Sequence, residues 1–73
     1  MAVWMYVEPG EHGQPVVRRY TDAQILAEYW VYWCEGMRRV GKEAQITEAA
    51  CIEDWVTVNW AQQVRSPYLA SGN

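Results

Sequence analysis

The sequence has no phenylalanine, a single histidine, two cysteines and no excess of basic residues. Its net charge of −3 argues against direct binding of nucleic acid, because proteins that contact the phosphate backbone normally carry a basic face. No apolar run approaches the roughly 20 residues of a membrane-spanning helix, and the N-terminus lacks the basic start and apolar centre of a signal peptide. We therefore expect an intracellular protein with no membrane segment and no direct contact with nucleic acid.

The sequence also offers few groups for catalysis or metal binding. His12 lies in a turn beside Glu11, with no nucleophile at a recognisable spacing. Cys34 and Cys51 form no CxxC pair, so a zinc site lacks its ligand spacing. In an intracellular chain we expect both cysteines to be buried hydrophobic residues, with a disulfide as the alternative. We expect neither enzyme activity nor a metal or other cofactor.

The stretch from Tyr20 to Lys42 predicts one long amphipathic helix. Thr21 and Gln24 have the spacing of a capping box, and Gly41 is a typical C-terminal stop. Apolar side chains recur every three or four residues and share one face, which consists of Leu26, Tyr29, Trp30, Trp33, Met37 and Val40.

Three other apolar side chains of this helix fall outside that face. Ile25 and Tyr32 are expected at its edge, and Val31 is expected to point away from it. Gly36 in the helix interior costs about 1 kcal/mol relative to alanine, which leads us to expect the close approach of another backbone.

The N-terminal part predicts a β-hairpin. Residues 2–7 and 16–20 are rich in β-forming side chains, and residues 8–15 between them hold two prolines and two glycines. Alternation along the first strand assigns its side chains to two faces, with Val3, Met5 and Val7 on one and Trp4 and Tyr6 on the other. Because both faces are apolar, we expect one of them to contact something other than water.

A second, shorter helix is predicted to begin at Thr47. Its apolar face would include Ile52, Trp55, Val56 and Trp60, with Asn59 as the one polar member. Residues 55–61 are also β-branched and aromatic, so a strand is the alternative there. Together these elements predict an α+β fold in a single globular domain over residues 1–65, in which the hairpin packs on both helices. Residues 66–73 are expected to form a disordered tail.

The composition points to protein binding. The chain has five Trp and five Tyr, and rings with a polar tip favour half-buried positions and interfaces. Together with arginine these are the residues of binding hot spots. The candidate partner-binding residues are Trp4, Tyr6, Val31, Tyr32, Arg38 and Arg39. The alternatives are that all ten rings fill the core and that Arg38 and Arg39 are ordinary surface charge, with Glu35 three and four residues away able to pair with them.

Two segments carry a resemblance. Residues 20–61 contain two segments that resemble small phage-encoded host-takeover proteins. They are YTDAQILAEYWVYWCEGMRRVGKEAQI and ACIEDWVTVNWA. Together with the chain length, they resemble most the lytic-phage transcription regulators that bind host RNA polymerase. These motifs carry no chemistry of their own, and no binding residue can be transferred from the family position by position.

The resemblance implies a partner and an effect. The partner would be bacterial RNA polymerase, bound at the N-terminal region of its β′ subunit in the host cytoplasm. The effects would be inhibition of promoter-dependent initiation and promotion of antitermination, by a monomer that does not touch DNA. The alternative is a phage inhibitor of a bacterial defence complex, which would also act by protein–protein binding.

Overall fold

Two seven-residue strands form the predicted hairpin. In the computed structural model, which describes residues 2–64, β1 covers Val3–Pro9 and β2 covers Pro15–Thr21. The strands are antiparallel, with Val7 opposite Val17. The Gly10 N–H donates to the Gln14 carbonyl across 2.6 Å and closes the connecting turn.

A third, two-residue strand completes the sheet. Strand β3, Gln62–Gln63, pairs antiparallel with Trp4 and Met5 of β1, so the strand order is β2-β1-β3. The Val64 N–H extends this pairing by donating to the Val3 carbonyl across 2.7 Å. The sequence analysis missed β3, because two glutamines carry no β signal and the strand exists only through its pairing with β1. The predicted tail at residues 66–73 lies outside the described residues.

Helix α1 covers Asp22–Arg39 and begins as predicted. The Thr21 N–H donates to Gln24 Oε1 at 2.8 Å, and the Gln24 N–H donates to Thr21 Oγ1 at 3.1 Å, so the capping box is confirmed. Two expectations about its faces were wrong. Ile25, expected at the edge, is completely buried, and Val40, expected on the apolar face, follows the helix and is 64% exposed.

Helix α2 covers Glu48–Asn59, after a short 3-10 helix at Glu43–Gln45. Thr47 caps it by accepting from the Ala50 N–H at 3.0 Å, which confirms the predicted start and favours helix over strand. The helix ends one residue before Trp60, which has a left-handed backbone (φ 56°) and is 89% exposed. The assignment of Trp60 to the apolar face was therefore wrong.

The core has two parts that join these elements. Between the helices, Trp33, Cys34 and Cys51 pack together. Between hairpin and α2, the Trp55 ring meets Tyr6 edge-on at 5.5 Å between centroids and Tyr20 at 5.1 Å. The fold is thus the predicted α+β domain, with the hairpin packed against two helices. Neither helix in residues 2–64 is long and apolar enough to cross a bilayer.

Candidate protein-binding surface

One side of α1 carries a group of exposed side chains. Val31 and Tyr32 are 68% and 71% exposed, and Arg38 and Arg39 are also exposed. We call these four residues the α1 outer face. Helical phase explains the exposure, because the apolar stripe that includes Trp33 turns toward α2 and these residues fall on the other side. The exposure predicted for Val31 is confirmed, and Tyr32 is exposed although it was expected at the edge of the apolar face. The role of all four residues in binding stays a prediction.

Tyr32 is held by a chain of contacts that crosses to α2. Its ring lies 5.7 Å from the ring of Tyr29, between centroids. The Tyr29 hydroxyl donates to Asp54 Oδ2 at 2.6 Å. Burial, and then the hydrogen bond to the carboxylate, raise the pKa of Tyr29, so this hydroxyl stays a donor at all physiological pH values. The exposed ring of Tyr32 therefore rests on a fixed support.

A cleft of about 340 Å³ opens beside Tyr32. It is lined by residues of both helices, namely Tyr32, Trp33, Glu35, Gly36, Met37, Arg39 and Asp54. A Cβ added at Gly36 would meet no atom within 4 Å, so no other backbone approaches this glycine. Our expectation of a close backbone approach was wrong. We call this feature the Gly36 cleft.

The charges around the cleft are mostly unpaired. Arg38 Nε lies 3.4 Å from Glu43 Oε2, in an exposed ion pair across the end of α1. The expected pairing of Arg38 and Arg39 with Glu35 is absent, and within residues 2–64 neither Arg39, Glu35 nor Asp54 makes an ion pair closer than 4 Å. Three ionic side chains at the cleft are therefore free to meet charges from outside.

Trp4 and Tyr6, the two candidate residues on the hairpin, have partners inside the fold. Trp4 Nε1 donates to Asp22 Oδ1 at 2.8 Å, and the Tyr6 ring packs against Trp55. Burial, with the Glu8 carboxylate nearby, raises the pKa of Tyr6. The structure thus places this face of the hairpin against the helices, with both side chains half-buried. Their role in binding stays a prediction.

A second apolar surface includes Trp60, which the sequence analysis had placed on the apolar face of α2. Trp60 lines a groove of about 240 Å³ together with Met5, Tyr6, Val7, Asn59 and Gln62. Val7 and its cross-strand neighbour Val17 are 61% and 49% exposed. Strand alternation did predict that Val7 lies on the opposite face of β1 from Trp4 and Tyr6. Nothing in the sequence signals that α2 stops before Trp60, because the apolar spacing continues through it.

The cysteines are buried free thiols, as expected for hydrophobic core residues. Cys34 is 3% exposed and Cys51 is fully buried. Burial raises the pKa of the Cys51 thiol to about 11, so very little thiolate exists at neutral pH.

We therefore predict slow alkylation of both thiols in the native protein. At pH 8 iodoacetamide should modify them at least about a hundredfold more slowly than in denaturant, because reaction requires opening of the core. Mass spectrometry over time measures both rates, with the urea-unfolded protein as control. Equal rates in the two conditions would show that the core is open.

Residues 2–64 contain no group of three His, Cys, Asp or Glu side chains arranged to hold a metal ion. In comparisons with known proteins, no family model, no curated protein and no solved structure matches the chain. The candidate surface consequently rests on its own geometry.

Proposed function

We propose that this protein is a phage-encoded, non-enzymatic regulator that binds host RNA polymerase through the α1 outer face. The single observation that carries the binding role is the exposure of Val31 and Tyr32 on the same side of α1 as two exposed arginines. Tyrosine and arginine around an apolar centre are typical of binding hot spots. The polymerase as partner follows from the resemblance of residues 20–61.

The site supports a blocking mechanism. A domain of 73 residues can occupy a surface of the polymerase and prevent a step that needs that surface free. Binding at the N-terminal region of β′ would inhibit promoter-dependent initiation and increase read-through of terminators. The net charge of −3 fits a protein that reaches transcription through the enzyme and not through DNA.

The first test is capture of purified bacterial RNA polymerase, followed by single-round transcription across a promoter and a terminator. The matched variant carries Tyr32→Ala with Arg38→Glu and Arg39→Glu. Because these side chains are exposed, the variant should keep its circular dichroism spectrum, and it should bind at least about a hundredfold more weakly. Ala23→Ser, at an exposed position in the first turn of α1, is the control substitution.

Two results would contradict the proposal in different ways. Undiminished binding by the triple variant would remove α1 as the contact surface. Absence of capture by intact polymerase and by isolated β′ would remove the polymerase as the partner. A bacterial defence complex would then be the next partner to test in the same capture assay.

A further inference from the structure

The Gly36 cleft exists at a cost to the helix. Glycine in a helix interior is less stable than alanine because the unfolded chain loses more conformational freedom on folding. At Gly36 the cost has no counterpart in the fold, because a methyl group would meet nothing within 4 Å. What glycine provides at this position is open space between α1 and α2.

The space has walls suited to a flat cation. Its lining residues include Tyr32 and Trp33 of α1 and Asp54 of α2. Aromatic faces attract cations, and a guanidinium group can also stack on them and pair with a carboxylate through two parallel hydrogen bonds. Of the charged side chains that recognise such walls, arginine therefore fits best.

The charge at the cleft also favours a cation. Glu35, Asp54 and Arg39 all line the cleft and none of them is ion-paired within the described residues, so the lining carries one net negative charge. Within the described residues the Asp54 carboxylate receives one hydrogen bond, from the Tyr29 hydroxyl to Oδ2. That hydroxyl fixes the carboxylate at the cleft wall and leaves Oδ1 for an incoming donor.

We propose that the Gly36 cleft receives an arginine side chain from the segment of the partner that docks on α1. The inference rests on the proposed function, since it describes how that contact is made. The inserted guanidinium stacks on the exposed ring of Tyr32 and pairs with Asp54. The cleft thus selects a basic docking segment, which complements the acidic charge of the whole chain.

The test is an NMR titration of the ¹⁵N-labelled full chain with N-acetyl-arginine amide. N-acetyl-citrulline amide, which has nearly the same shape but no charge, is the matched ligand. The Gly36 and Asp54 amides and the Trp33 indole should shift with millimolar affinity, and citrulline should bind about tenfold more weakly. Asp54→Asn, which keeps an oxygen for the Tyr29 hydroxyl, should cause a similar loss of arginine affinity.

Filling the cleft provides the second arm. Gly36→Leu should abolish the arginine shifts and lower polymerase affinity about tenfold, whereas Val58→Leu, at an exposed position of α2 outside the cleft lining, should leave both unchanged. Equal binding of citrulline, shifts outside the cleft, or normal binding by Gly36→Leu would overturn the inference. If the wild-type protein fails to capture polymerase, the proposed function fails, and the titration still decides separately whether the cleft binds arginine.

Discussion

Replacing Trp55 with alanine is expected to leave most of the protein unfolded at 25 °C. The Trp55 side chain is 7% exposed and touches the rings of Tyr6 and Tyr20, so it joins the hairpin to α2. Truncating a buried tryptophan costs about 3–5 kcal/mol, through lost transfer free energy and the cavity left behind. A single core of this size rarely supplies more than about 3–5 kcal/mol in total. Urea denaturation followed by far-ultraviolet circular dichroism measures the loss.

Trp60 provides a matched control for the same substitution. It is 89% exposed, so Trp60→Ala should change the free energy of unfolding by less than about 0.5 kcal/mol. The two variants remove the same atoms from positions five residues apart, and only the environment differs. A similar loss of stability in both would contradict the assignment of Trp55 to the core and of Trp60 to the surface.

The contrast between the two tryptophans shows where sequence reasoning stops. The start of α1 was predictable because the capping box depends only on Thr21 and Gln24, which are three residues apart. The end of α2 was not, since Trp60 adopts a left-handed conformation that a bulky side chain rarely takes. The complete burial of Ile25 was likewise missed, because helical phase placed it at the edge of the apolar face.

Part of the candidate surface could likewise be predicted from the sequence, and part could not. The exposure of Val31 followed from helical phase, because Val31 lies off the apolar stripe, whereas the exposure of Tyr32 did not, because phase placed it at the edge beside the buried Ile25. The Gly36 cleft could not be predicted, because Asp54 comes from the other helix and reaches the cleft only through interhelical packing. The sequence did single out Gly36 as unusual. It could not show whether a glycine stands at this position because another backbone comes close or because a cleft is kept open.

The Gly36→Ala variant is expected to raise the free energy of unfolding by about 1 kcal/mol, because alanine is the better helix former and its methyl group meets no atom within 4 Å. For a domain of this size the midpoint of thermal unfolding should rise by about 4–8 °C. Gly41→Ala is the matched control with the opposite sign. Gly41 has φ +79°, where a Cβ is strained, so this variant should lose about 1 kcal/mol.

Differential scanning calorimetry of the two variants measures both shifts. Destabilisation by Gly36→Ala would contradict the open cleft, because it would mean that the added methyl group clashes with a neighbouring atom.

The Gly36→Ala variant also tests whether the glycine is needed for binding. A methyl group narrows the cleft, so arginine affinity should fall while the fold becomes more stable. A gain in stability joined to a loss of binding is the pattern of a residue kept for function at the expense of the helix. A gain in stability with unchanged arginine affinity would instead mean that the cleft tolerates a methyl group, and that glycine is not needed there for binding.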